Sequence, residues 1–372
     1  MKKISSFLGL ALAASLLFSC SDDDNKTSAP TGVQVVTRAT DIDPAGGESS
    51  IELDKPVASA YTSGSWLTVT PEGNMVKLAA PQNASVESRH ATVVIKASES
   101  DSTVVSITQL GAVMSYEGGN IFCGNAGTEV AKYVRHNQPL SIYSAPSWVD
   151  AKVDGDSIRI NVLANTTDKA RGGYVRFKAG ALSDSIAVSQ ADFSQLKGDY
   201  IIGGYDISDG STAFYNCQLY SYGKLFYMSM PRLKWSWDGS FDENTLSFGM
   251  YNATWVGTYQ SSYYILALLI NSKMAISADQ TQQGFFQFQV DEDGTIVAVL
   301  SYQDEVGGIV FGACTQQNLN TYQGLLTGFM PAMVIKDDGT AEAKARAQRV
   351  MARKAPLRST VLGKMPQYVK WK

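Results

Sequence analysis

The sequence predicts an all-β protein: two Ig-like β-sandwiches in tandem, then an antiparallel β-barrel or sandwich of lipocalin-like meander outline, with a short C-terminal helix. Three observations carry that expectation. Apolar and polar residues alternate with period two in short runs such as "MVKLAA", "HATVVIKA", "SIRINVLA" and "GFFQFQV", and turn residues cluster between the runs; this is the pattern of half-buried strands joined by tight connections. A unit of about 82 residues occurs twice. After Gln190 the composition changes: residues 193–335 hold 25 Phe, Trp and Tyr, whereas the longer stretch 31–192 holds nine. A different domain begins there.

The chain opens on Lys2 and Lys3, followed by the apolar segment 4–18. That layout is a secretory signal peptide, residues 1–19. Its apolar part of about 15 residues falls short of the ~20 that a spanning helix needs, so a permanent anchor helix is not predicted. Leu17-Phe18-Ser19-Cys20 resembles the lipobox of bacterial lipoproteins. The resemblance implies cleavage before Cys20 and a fatty-acyl, palmitate-type anchor on its thiol. Each buried methylene contributes ~0.8 kcal/mol, so several chains hold a protein at a membrane where one does not. Ser21, Asp22, Asp23 and Asp24 resemble the acidic export signal of Bacteroidetes surface lipoproteins, which implies the extracellular face of the outer membrane. Residues 20–31 also read as a polar tether too poor in apolar residues to fold.

The repeat occupies residues 32–112 and 113–192. In both copies Tyr precedes Trp by five residues (Tyr61 and Trp66, Tyr143 and Trp148), and Asn83 or Asn165, Arg89 or Arg171, and a closing Gln109 or Gln190 follow. Several short strands in some 80 residues with no helical period point to an Ig-like sandwich. The Trp, the Asn ahead of an Arg that opens a strand, and the terminal Gln resemble the BACON domain, an Ig-like module of Bacteroidetes surface proteins. The resemblance implies either carbohydrate binding or a spacer. A large ring at a repeated position is more often core than platform, so Trp66 and Trp148 are assigned to the core and the repeats to a spacer role. Arg89 and Arg171 are expected to meet a turn carbonyl or a carboxylate.

Residues 193–338 form the aromatic-rich β-domain. Strands are read at "DYIIGGYDI", "STAFYNCQLYS", "GKLFYMSM", "NTLSFGMY", "SYYILALLI", "GFFQFQV", "TIVAVLSYQ" and "GGIVFGACTQ", with a hairpin turn at Val290-Asp291-Glu292-Asp293-Gly294-Thr295. Trp235 and Trp237 stand two apart, which on a strand puts both rings on one face, and Trp255, Tyr259 and Tyr263 follow. Sugars present flat C–H faces and polar edges. These rings, flanked by Asp238, Asn244 and Asn252, are therefore the candidate ligand site; the competing reading is that the rings fill the core.

Catalysis is not expected. His90 and His136 both lie in the repeats, so the β-domain has no Ser-His-Asp or Cys-His set. Twelve-residue spacing from Asp291 puts Tyr302 where a calcium loop needs its closing Glu, and no metal or cofactor is predicted. A glycoside hydrolase needs two facing carboxyl groups; Asp238, Asp242, Asp304 and Glu305 are available but all stand in turn-like sequence. A net charge of −4 gives no support for nucleic-acid binding. Apart from Cys20 the chain has Cys123, Cys217 and Cys314; Cys217 and Cys314 are either a bridge or two buried thiols. The tail, residues 339–372, holds a helix-like run with Ala343, Ala347, Val350 and Met351 on one face behind Thr340, and from residue 341 onward nine Lys and Arg stand against one acid. It reads as a solvated helix or as a contact for acidic lipid or glycan. The expected partners are thus a membrane, through the lipid anchor, and a polysaccharide or glycoprotein glycan. An adhesive or structural protein-contacting component is the alternative, and the oligomeric state is left open.

Overall fold

The computed structural model describes residues 32–350 except 275, 277, 278, 341, 343, 344 and 347. The predicted signal peptide and tether, with Cys20, Ser21, Asp22, Asp23 and Asp24, and Ala343, Ala347, Met351 and the remaining tail lie outside the described residues. Two compact units are present. One is residues 32–81 with 89–109; the other is 82–88 with 110–350.

The first unit has eight strands: β1 (Val35–Arg38), β2 (Asp41–Ile42), β3 (Gly47–Leu53), β4 (Ser59–Thr62), β5 (Thr68–Glu72), β6 (Met75–Ala80), β7 (Arg89–Lys96) and β8 (Ser102–Gln109). They make two sheets, β1-β3-β6-β5 and β2-β8-β7-β4. The second unit begins with the same design: β9 (Met114–Tyr116), β10 (Ile121–Cys123), β11 (Thr128–His136), β12 (Leu140–Ser144), β13 (Val149–Asp154), β14 (Ser157–Val162), β15 (Arg171–Ala179) and β16 (Leu182–Gln190). Its sheets are β9-β11-β14-β13 and β10-β16-β15-β12. Even the parallel pairs match, β2 with β8 and β10 with β16. Period-two alternation sends one face of each strand inward, and the cores coincide position for position: Val93 and Val175, Ile95 and Phe177, Val105 and Ile186, Ile107 and Val188 are all buried.

The recurring polar residues are accounted for by one device. Trp66 and Trp148 are half-buried against their cores, and the guanidinium of Arg89 or Arg171 lies over the ring, 4.6 and 4.5 Å from the centroid. Arg89 donates to Gln109 Oε1 (2.8 Å) and to the Pro81 carbonyl (3.1 Å); Arg171 donates to Gln190 Oε1 (2.8 Å) and to the Leu163 carbonyl (2.8 Å). The expected backbone carbonyl is present for both arginines, in the loop just after a strand rather than in a turn, with a glutamine as the second partner. Asn83 and Asn165 close the preceding loop, donating to Glu87 O (2.9 Å) and Lys169 O (2.8 Å). The fork on two acceptors requires arginine geometry, and the planar guanidinium can stack on the ring at the same time.

The β-domain opens with α1 (Phe193–Leu196) and continues through β17 (Gly198–Asp206), β18 (Thr212–Tyr222), β19 (Leu225–Met230), β20 (Trp235–Asp242), β21 (Ser247–Tyr251), β22 (Thr254–Tyr259), β23 (Tyr263–Ile270), β24 (Gln283–Val290), β25 (Ile296–Tyr302), β26 (Glu305–Val306), β27 (Gly308–Cys314) and β28 (Tyr322–Lys336). Eight strands close a ring, β28-β17-β18-β19-β20-β21-β24-β25, shut where Val297, Ala298 and Val299 pair with Ile335, Val334 and Met333. Of the two expected forms the barrel is the one adopted. The uninterrupted meander is not. The run "YYILALLI" of β23 and "GIVFGAC" of β27, read as wall strands, belong with β22 to a sheet extension on the first half of β28. Their sequences explain it: a run apolar on both faces must be buried on both. Ile265, Ala267, Leu269 and Phe311 face the barrel core, while Leu266, Leu268, Ile270 and Val310 join a second cluster.

The lumen is packed with Tyr200, Trp235, Trp237, Phe248, Phe286, Phe288, Phe311 and Phe329, so only the wall is lipocalin-like in outline. Phe193 on α1 packs edge-on against Phe226 and Phe241, with centroids 4.7 and 5.0 Å away. Lys336 Nζ donates to the carbonyls of Gln195, Leu196 and Lys197 at 2.8, 3.0 and 2.9 Å, satisfying acceptors that a helix end leaves open. Cys123, Cys217 and Cys314 are buried free thiols; the bridge between Cys217 and Cys314 is not formed. Residues 345, 346 and 348–350 are helical, and Val350 rests on the outer cluster of Ile201, Val297, Met333 and Ile335.

Within the second unit the sandwich and the barrel are joined by fitted contacts. The turn after β24 lies on β15 and β16: Ser189 Oγ accepts the Val290 N–H (3.0 Å), and Arg176 pairs with Glu292 (2.9 Å). The approach is so close that a Cβ on Gly172 would stand 1.7 Å from the Val290 carbonyl oxygen.

Two outcomes follow from these contacts. Gly172→Ala should cost on the order of 3 kcal/mol, because the hairpin must move, and urea unfolding should show the sandwich and barrel losing stability together. Arg171→Lys keeps the charge but loses the fork and the stacking. A loss of about 2 kcal/mol is expected in the same measurement, and Arg89→Lys should reproduce it in the first unit.

Candidate ligand-binding face

The eight predicted ligand residues fall in different places. Trp235 and Trp237 do share one strand face, but it is the inner one: they are 3% and 1% exposed, and their rings lie 4.9 and 6.3 Å from that of Phe311. Trp235 Nε1 donates to the Thr258 carbonyl at 3.0 Å. The expectation of an outward platform is corrected at both positions. The reason is alternation, because Ser236, Asp238, Ser240 and Asp242 take the outside of β20 and leave the rings the core. Asn252 is fully buried as a strut, accepting the Leu269 N–H (2.7 Å) and donating to the Asp279 carbonyl (3.1 Å). It is not a ligand residue either.

Trp255 is half-buried on the second cluster, and Tyr263 is half-buried against the barrel core. Tyr259 is exposed opposite Tyr263, with Gln260 donating to its hydroxyl at 3.3 Å. Asn244 is exposed in the turn between β20 and β21, where its N–H donates to Asp242 (2.9 Å). Asp238 is exposed on the outer wall of the barrel.

Asp238 stands beside aromatic residues that the sequence reading did not select. In β18 and β19, Cys217, Leu219, Phe226, Met228 and Met230 point inward, so Tyr220, Tyr222, Leu225 and Tyr227 point outward. Register then assembles a row. Tyr220 is opposite Tyr227, Tyr227 is opposite Asp238, and Tyr222 is opposite Leu225 at the hairpin tip. The Tyr220 and Tyr227 rings stack, with centroids 5.3 Å apart and planes 16° from parallel. Tyr222 is 81% exposed and Leu225 53%. The Tyr220 and Ser236 hydroxyls are 3.5 Å apart.

Such a face offers apolar ring surface, phenol and serine hydroxyls and a carboxylate, all on a stiff sheet wall. The signal for it lay in "QLYSYGKLFYM". Once Leu219 is assigned inward, the tyrosines at 220 and 222 must face out.

If Trp235 and Trp237 serve the core alone, Trp235→Ala and Trp237→Ala should each cost ~3–5 kcal/mol in thermal or urea unfolding. The remaining folded molecules should bind any ligand as before.

The family model BACON, described as "Putative binding domain, N-terminal", matches residues 57–110 and 138–191. No curated protein matches the chain. Among solved structures, a Bacteroides ovatus GH5 xyloglucanase in complex with a XXXG heptasaccharide is 24% identical over 26% of this chain and 22% of that one, with a TM-score of 0.21. A protein from Bacteroides thetaiotaomicron is 18% identical over 25% and 97% (TM-score 0.19), and the titin I9-I11 tandem is 9% identical over 73% and 94% (TM-score 0.31). Scores this low carry no argument about function. The two matched segments are those that hold Trp66, Arg89 and Gln109, and Trp148, Arg171 and Gln190; the chain carries two BACON domains.

Proposed function

We propose that this protein is a lipid-anchored component of the outer cell surface that binds a glycan, without catalysis, on the outer wall of its C-terminal barrel. One observation carries the reading: an outward-facing row of exposed Tyr222 and half-buried, mutually stacked Tyr220 and Tyr227, ending beside exposed Asp238. Aromatic rings with adjoining hydroxyl and carboxylate groups match the apolar faces and polar edges of sugar rings, and the barrel wall holds them with little ordering cost on binding. The lipobox and the acidic segment after Cys20 support an anchored, exported chain, and the BACON pair suits a carbohydrate-related surface protein.

Two of the four carboxylates considered for hydrolysis are already engaged, which supports the non-catalytic reading. Asp242 is engaged in its own turn, accepting from Asn244 N and Thr245 Oγ1 (both 2.9 Å), while Glu305 accepts from the Ser272 hydroxyl. The hairpin tip of Tyr222 and Leu225 also suits a protein partner, which keeps the adhesive alternative as an outcome of the test.

Affinity electrophoresis against a polysaccharide panel separates these readings. Tyr220→Ala or Tyr227→Ala should lose about 2 kcal/mol, or roughly thirtyfold in retention. Tyr222→Ala should weaken retention with almost no change in melting temperature. Retention unchanged in all three variants, or no retarding polysaccharide at all, overturns the glycan reading. Separately, Cys20→Ala should abolish fatty-acid labelling and release the protein from the membrane fraction.

A further inference from the structure

The second unit holds a cleft of about 340 Å3 between the loop after β10 and the turn after β20, lined by Phe122, Asn125, Thr128, Asp192, Glu243 and Asn244 together with loop backbone. We infer that this cleft is a distinct subsite for a single neutral sugar residue, at the end of the strand that carries Asp238. The volume stands near the lower bound of the ~300–1,000 Å3 usual for ligand clefts. It suits a small molecule rather than a polymer.

The lining narrows the chemistry. It contains no Lys, Arg or His, so a phosphate, sulfate or carboxylate group finds no counter-charge there. Phe122 is its one aromatic ring, and beyond Cys123 and Ala126 the other side chains are amides, a hydroxyl and carboxylates, so a wholly apolar ligand would strand polar groups. A ligand rich in hydroxyls satisfies them: its O–H groups donate to Asp192 and Glu243, it accepts from Asn244, and one ring face rests on Phe122.

The back wall is already set. Asn125 donates its backbone N–H to Asp192 Oδ1 (2.8 Å) and its Nδ2 to Oδ2 (2.9 Å), which fixes the carboxylate plane while leaving lone pairs free, since a carboxylate offers about four. Glu243 and Asn244 form the opposite, exposed wall. Asp238, Ser240 and Asp242 share the outer face of β20, which runs straight into that turn. The tyrosine row and the cleft are thus served by one strand. The inference shares the saccharide reading of the barrel face but none of its residues.

Saturation-transfer NMR on the full-length protein tests it. The probes are the methyl glycosides of glucose, galactose, mannose, xylose and fucose, with glucuronate and inorganic phosphate as charged controls. At least one neutral glycoside should bind and the charged controls should not. Glu243→Ala and Asn244→Ala, both at exposed positions, should each weaken that binding at least tenfold, and Tyr220→Ala should leave it unchanged. No transfer from any neutral glycoside at about 50 mM, transfer that survives both cleft variants, or stronger binding of glucuronate overturns the inference. Polysaccharide retention lost in the tyrosine variants with monosaccharide binding intact keeps both sites. Retention indifferent to the tyrosines removes the barrel-face reading alone.

Discussion

The guanidinium of Arg171, laid on Trp148 and forked between Gln190 and the Leu163 carbonyl, is the contact on which the second unit depends. Gln190 does more than accept from it. Its Nε2 reaches the carbonyls of Gly124, Asn125 and Leu163, so the arginine indirectly fixes the loop after β10. That loop in turn holds Asp192 through Asn125, and Asp192 is where the chain leaves the sandwich for the barrel. A half-buried cation is costly unless its donors are met. Here stacking and hydrogen bonding meet that cost, and the geometry they require sets the exit path of the chain.

The first copy has the same clasp but not the same neighbourhood. On β15 and β16 the outer positions are Gly172, Arg176 and Ser189, which accept the barrel hairpin; the matching positions of the first copy are His90, Val94 and Thr108. One fold therefore serves two ends: one sandwich stands as its own compact unit, and the other is built into the domain it precedes.

Much of this was legible beforehand. Strand alternation and the repeat gave the sandwiches, because a period of two has only one buried solution when one face is wet. The barrel was legible as a strand-rich aromatic domain, but the departure of β22, β23 and β27 from the ring turned on two-sided burial. The doubly apolar runs of β23 and β27 hinted at it, yet no short window states which sheet receives them. At the site, the tryptophans drew attention through size, although the polar residues alternating with them already assigned them inward. The tyrosine row depends on which residues of β18, β19 and β20 stand opposite one another. The cleft depends on two loops more than a hundred residues apart. Neither kind of information is local.

β28, the last strand among the described residues, touches three partners at once: β27, β17 and β25. Residue 200 meets residue 217 on one side, but its partner on the other side is residue 336, and Lys336 then grips the end of α1. A chain that emerges from its N-terminus can complete the sandwiches early, because their pairings span fewer residues than the closure of β17 on β28. The barrel is different, since its closure is among the most non-local events in the molecule and such closures are slow. Until β28 arrives, one side of β17 and the first part of β25 are bare edges, open to pairing with any extended segment nearby. The burden of safe passage therefore falls on the interval just before the final fifteen-residue strand is delivered, and a chain stopped short of it would be an aggregation template rather than a smaller version of the same domain.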